Sequence, residues 1–355
     1  MSRLTVPARY RDAGLFVLLA ALFGSGFVAI KTGLRELPPV LFASLRFDLG
    51  ALALLAYVAV TRPRATWLPH TRRDLLGIGV AGLFLVALNN SLLFLGQGST
   101  SAAMASVMYG LNPVLAPVFA WWLLGDRFSW IGALGIGIAL SGVVVIVQPS
   151  PAAITSGSAL GQLLVLGAAT AVALGSVLLQ RISPQMGSVP LTAWAMATGA
   201  VALHAVSLAA GESPASAVGI GPATVVSVLV IAIPSTAVAY AIHFGLLERV
   251  GSVRANLVAY VVPVFAALAG WLLLGAAVSG WTVVGFLVVV TGFALVERNT
   301  LRTEARRLQR KVGERNSGPE PGPTLASQPE STPEPGPTTE PELTSQSTSA
   351  YSCDD

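Results

Sequence analysis

The sequence predicts an all-α polytopic membrane protein, with ten transmembrane helices arranged as two inverted five-helix repeats. Three observations carry this. Of the 355 residues, 54% are hydrophobic and only 11% are charged, with mean hydropathy +0.71; a soluble domain usually carries ~25% charge. Ten stretches are each apolar enough to cross a bilayer, which takes a helix of ~20 residues. Finally, the segment Ala102–Val147 recurs 150 positions later as Ser252–Glu297.

The first stretch, 13–34, follows Arg3, Arg9 and Arg11. That basic start resembles a signal peptide, but the stretch is longer than a usual signal core, carries Lys31 and lacks a clear small-residue cleavage site, so it reads as a span. The second, 40–60, contains Arg46 and Asp48, and the third, 75–95, contains Asn89 and Asn90. The fourth, 102–124, is interrupted by Pro113 and Pro117, which remove helical hydrogen bonds. The fifth, 129–147, carries Gly132, Gly135, Gly137 and Gly142, a smooth face suited to close helix packing. The remaining five, 159–180, 190–210, 222–246, 254–275 and 278–296, repeat the series, with Pro234 and Pro263 inside the eighth and ninth. Runs such as Ile131–Val147 show none of the alternation of a membrane β-barrel, and lipid offers open backbone groups no partner.

Placing the N-terminus in the cytoplasm puts 18 of the 21 Lys and Arg residues on the cytoplasmic side. Arg35 alone falls in an outside loop, while Lys31 and Arg46 lie within spans. The positive-inside rule therefore predicts a multi-pass protein of the cell membrane with both termini cytoplasmic. Residues 1–12 form the cytoplasmic N-terminus, 13–149 the first repeat, 150–297 the second, and 298–316 a basic juxtamembrane segment suited to anionic lipid. Residues 317–355 form an acidic tail rich in Pro, Ser, Thr and Glu, too poor in large apolar side chains to order itself.

In the repeat, Pro113 meets Pro263, Trp121 meets Trp271, Gly125 meets Gly275 and Gly142 meets Gly292. An odd number of spans per unit reverses the second copy, a pattern typical of secondary transporters. The lone cysteine, Cys353, permits no internal disulfide, and His70, His204 and His243 stand far apart. No metalloprotease, nucleophile-elbow or phosphate-loop motif is present. No catalytic residue, metal site or cofactor is therefore assigned. Seven acids from Asn316 onward bring the net charge down to +4 and leave the rest of the chain at +11. That positive charge sits in short loops beside apolar runs, which fits membrane topology rather than nucleic acid.

Several segments resemble the EamA-type, ten-helix branch of the drug/metabolite transporter superfamily. They are "LFGSGFVAIKTGLRELPPVLFASLRF", "SAAMASVMYGLNPVLAPVFAWWLLGDRFS" and "STAVAYAIHFGLLERVGSVRANLVAYVVPVFAALAGWLLLG". The resemblance covers residues 13–297. It implies a helix bundle around a central cavity that moves small metabolites, notably amino acids and related compounds, by alternating access. One departure stands out: the family's second Gly-acid turn is here Gly275-Ala276.

Ionisable groups in lipid are costly and usually face a cavity or a partner. Lys31 lies near the outer end of its span, where it either snorkels or joins the substrate pathway. Arg46 lies about 9 Å into the second span at 1.5 Å per residue, and its guanidinium suits a bidentate carboxylate. Asp48 points away from Arg46 and has Lys31 as a candidate partner. Asn89, Asn90 and Asn112 bond across helices or contact substrate. Tyr109, Tyr240 and Tyr260 are further pathway candidates. His243 shares a face with Tyr240 at the i, i+3 spacing, as a proton carrier or a hydrogen-bonded buried group. Pro113 and Pro263, at matching positions, are hinge candidates.

The leading expectation is a secondary transporter of small metabolites, most simply an exporter of amino acids, whose partners are its substrate and the lipid bilayer. A homodimer is left open. The rival readings are a non-transporting membrane scaffold and an intramembrane enzyme; the second lacks a clustered nucleophile and base.

Overall fold

The computed structural model describes residues 8–125, 130–147, 158–250, 257–296 and 298. The Asp126-Arg127 turn, the basic segment after Arg298 and the tail 317–355 lie outside the described residues. Among the described residues, ten apolar helices occupy the ten expected stretches. They are α1 (Ala8–Gly33), α2 (Pro39–Thr61), α3 (Arg72–Gly98), α4 (Ala102–Leu124) and α5 (Trp130–Val147). In the second half they are α6 (Ser158–Ile182), α7 (Ser188–Ala209), α8 (222–250), α9 (Val258–Leu274) and α10 (Gly280–Val296). Seven pass as long membrane-crossing helices, and the apolar segments Trp130–Ile146, Val258–Leu274 and Gly280–Val296 are shorter. Seventeen residues still rise about 26 Å, close to the lower limit for a span.

Local signals explain the helix ends. At α3 the Thr71 hydroxyl accepts from the Asp74 N–H while the Asp74 carboxylate accepts from the Thr71 N–H, a capping box. It starts the helix three residues before the apolar run does. α4 and α9 end at Gly125 (φ 73°) and Gly275 (φ 63°), the same left-handed cap at matching repeat positions. α4 is broken at Gly110-Leu111, so Pro113 stands in the first turn of the new segment Asn112–Leu124. There its missing N–H costs little. Pro263, its repeat partner, is inside continuous helix.

The packing reveals the inversion. α1 packs on α8 and α9, while α6 packs on α3 and α4, which is the same arrangement with the repeats exchanged. α2 packs on α7, and α5 packs on α10. Where α5 and α10 cross, a Cβ on Gly135 would come within 2.7 Å of the Gly292 carbonyl, and one on Gly142 within 2.8 Å of the Gly285 carbonyl. Advancing along one helix thus means retreating along the other, so equivalent helices run in opposite senses. Only glycine allows backbones so close. Gly137 has nothing within 4 Å of a built Cβ and does not belong to this contact.

Three carboxylates fasten helix starts and loops across the repeats. Glu36 accepts from Gly221 N–H (2.7 Å) at the start of α8. Asp74 accepts from Gln185 and Met186 N–H (2.8 and 3.0 Å) in the loop after α6. Glu212 accepts from Val40 and Leu41 N–H (3.1 and 2.7 Å) at the start of α2. Each places negative charge at free backbone donors.

Two helices carry an irregularity that no local pattern announces. α3 widens to a π-helix over Ala81–Leu88, and α8 does so over Ile233–Val238. These segments overlap under the 150-residue repeat offset. Pro234 accounts for missing backbone bonding in α8, but α3 has no proline there. The widening is therefore shared architecture rather than a consequence of one residue. Such π segments often sit at functional sites.

Candidate functional site

Arg46 lies between the two widened segments. It extends from α2, partly buried, and Nε donates to Thr236 Oγ1 at 2.8 Å while a terminal nitrogen donates to Asn90 Oδ1 at 3.3 Å. Thr236 belongs to the π segment of α8, and Asn90 follows that of α3. Both partners also bond back to their own helix. Thr236 Oγ1 donates to Ile231 O (2.7 Å), and Asn90 Nδ2 donates to Val86 O (2.8 Å). The same short polar side chains thus tie back to their own helix and offer an acceptor oxygen to the guanidinium. Gly50, one turn along α2, makes room for this: a Cβ there would lie 3.1 Å from the Thr236 methyl.

Both anchors are neutral, and Arg46 forms no ion pair among the described residues. An arginine has five N–H donors, of which these two bonds use two. The guanidinium carbon also lies 4.8 Å from the Phe47 ring centroid, and no carboxylate among the described residues pairs with the charge. Tyr109 and Tyr240 lie close enough for their hydroxyls to feel Arg46. The Tyr109 hydroxyl faces Asn89, whose Nδ2 donates to Leu85 O at 3.0 Å. The Tyr109 ring packs edge-on against Phe27 (6.0 Å), and Tyr240 packs edge-on against Phe23 (5.9 Å). Both tyrosines are thereby held by α1. The structure gathers Arg46, Asn89, Asn90, Tyr109 and Tyr240 into one polar cluster inside an apolar bundle.

The other candidates lie around this cluster or away from it. His243 sits near Phe23, ring centroids 6.4 Å apart, one turn from Tyr240, so both side chains share a face as the spacing predicts. Asn112 donates to Tyr109 O at 3.0 Å, across the break in α4. Tyr260 packs against Phe293 of α10, with centroids 4.1 Å apart. Lys31 donates to the Gln97 and Gly98 carbonyls (3.0 and 2.9 Å) at the end of α3. There a cation meets the negative end of a helix. The expected Asp48–Lys31 pair is absent among the described residues. Asp48 instead lies 2.8 Å from His204 Nε2 on α7, because α2 turns Asp48 outward, away from α1.

Sequence reasoning missed Thr236. Its signal was available in "IPSTAVAY", where consecutive hydroxyl side chains follow a proline inside an apolar span. It also missed Glu36, Asp74 and Glu212, whose partners are backbone groups more than 100 residues away.

The sequence profile of the EamA-like transporter family matches twice, over residues 13–148 and 159–298. An uncharacterized transporter of Archaeoglobus fulgidus is 31% identical over 80% of this chain and 98% of its own length. Proteins named probable amino-acid metabolite efflux pump are 27% identical in Salmonella typhimurium and 28% identical in Escherichia coli. They cover 85% and 79% of this chain, and 99% and 93% of themselves. A crystal structure at 21% identity superposes with a TM-score of 0.56 over 81% of this chain and 98% of its own, which supports the fold alone.

Proposed function

This chain belongs to the EamA-like transporter family, and on that premise we propose that it exports amino acids or closely related carboxylates by alternating access. Family membership gives its class: it is a multi-pass membrane transporter, acting on small molecules within a lipid bilayer, and not an enzyme. The observation that carries the finer reading is Arg46. A guanidinium held inside the bundle by two neutral acceptors keeps its charge and its remaining terminal donors. A carboxylate is the group that matches both. The relatives named as amino-acid efflux pumps support the substrate class and the direction.

In this reading the carboxylate docks on Arg46, while Tyr109, Tyr240 and Asn89 set the remaining polar contacts. α1, α8 and α9 form one rocking body and α3, α4 and α6 the other, each drawing helices from both repeats. Arg46 touches both bodies, through Thr236 and Asn90, so its ligand senses their relative position. The positive-inside rule supports a cytoplasmic side for the Arg-rich end of the bundle and for both termini.

The test is solute exchange in proteoliposomes loaded with a panel of amino acids and organic anions. The expected result is saturable exchange of a few carboxylates, lost in Arg46→Ala and not restored by Arg46→Lys, which supplies charge without the planar fork. Undiminished exchange by a well-folded Arg46→Ala protein would remove Arg46 from the site.

A further inference from the structure

A separate cavity, of about 310 Å³, opens at the Arg-poor end of the bundle. Its walls include Lys31 and Arg35 from the end of α1, Ser101 and Ala102 from the start of α4, and Gly270 and Ala276 from α9 and its cap. None of its lining residues is acidic. Lys31 and Arg35 are one turn apart and near enough to interact electrostatically. Neither forms an ion pair among the described residues. Lys31 donates to two neutral carbonyls at the end of α3, which fix its position without pairing it to a carboxylate. The neighbouring carboxylate, Glu36, is turned away onto Gly221 N–H.

The missing acid of the second Gly-acid turn acquires a meaning here. Ala276 stands where the first repeat has Asp126, and Ala276 lines this cavity. An acid at that position would stand opposite the two cations and cancel part of their field. Alanine leaves the cavity cationic.

We propose that this cavity is an outer anion station, which receives the carboxylate of the transported solute between Arg46 and the outside. The proposal takes its sidedness and its ligand from the transport reading above, but its electrostatics can be measured without any flux. Two cations on one wall and small residues on the others, including Ser101 and Ala102 at the Ser101-capped start of α4, provide charge and space for a small carboxylate.

The experiment uses the full chain in zwitterionic-lipid nanodiscs, with the one cysteine replaced (Cys353→Ser) and a reporter thiol introduced by Ala277→Cys, a residue that lines the cavity. The rates of modification by a negatively charged and a positively charged methanethiosulfonate of similar size are compared, each relative to a free thiol. The anionic reagent is expected to be favoured. Adding Ala276→Asp or Arg35→Gln should each lower that preference about fivefold, as one unit charge at several ångströms in a wet cavity would. Acetate should slow the modification where acetamide does not. Both changes lie at exposed or small positions, so neither threatens folding. No preference for the anionic reagent, or one unchanged by both substitutions, would overturn the proposal. That result would leave Arg46-dependent exchange standing, just as loss of exchange would leave the cavity's charge preference standing.

Discussion

Thr236→Val offers the sharpest test of how Arg46 is held. Valine keeps the volume and branching of threonine, so the methyl facing Gly50, where a built Cβ would lie 3.1 Å away, keeps its place. The hydroxyl is lost, and with it the 2.8 Å bond from Arg46 and the 2.7 Å bond to Ile231 O. Hydrogen bonds to charged groups are worth ~1.5–3 kcal/mol in soluble proteins, whereas bonds between membrane helices average ~0.6 and reach ~1.7. Because this bond is charged and lies inside the bundle rather than in lipid, a loss of ~1.4 kcal/mol is reasonable, which is about tenfold in binding. In proteoliposomes the solute concentration giving half-maximal exchange should rise about tenfold in Thr236→Val and less than about twofold in Thr236→Ser. Protein insertion should be unchanged in both. Wild-type half-saturation in Thr236→Val would show that the hydroxyl does not position Arg46. Equal damage in Thr236→Ser would assign the effect to the methyl contact.

Two further predictions concern the scaffold. Gly142→Val drives a side chain into the Gly285 carbonyl, 2.8 Å from the built Cβ. It should lower the detergent melting temperature by several degrees, an effect of ~1–3 kcal/mol for an overpacked contact, whereas Gly137→Ala should melt like the wild type. The Glu36 carboxyl lies in the loop outside the spans, and the hydrogen bonds from Gly221 and Thr224 hold it below the usual carboxylate range. A depressed folded value means its contribution is present above the unfolded value and disappears as pH falls through the folded one. Wild type and Glu36→Gln should therefore differ in melting temperature at neutral pH and converge only below pH ~4. A difference that persists in strong acid would show that the charge of Glu36 is not what fastens the start of α8.

The sequence by itself determined the ten helices, their alternating direction and the repeat. These follow from properties carried by single stretches: apolar length, the placement of Arg and Lys, and recurring Pro and Gly. It also picked out Arg46, Asn90, Tyr109 and Tyr240, because a polar side chain in an apolar span is conspicuous wherever it later points. It could not pair them. Asp48 meets His204 rather than Lys31, and Lys31 meets the end of α3, because helix rotation and interleaving of the repeats decide which faces touch. The two π segments were equally hidden. One contains a proline and the other none, so the widening is set by packing across the pseudo-symmetric bundle rather than by local propensity. Thr236 became an Arg46 partner only when α8 came to lie against α2, 190 residues away in the chain. Lipid supplies no hydrophobic force to sort helix faces, so polar contacts and close backbone approach do the sorting, and those exist only once the helices are assembled.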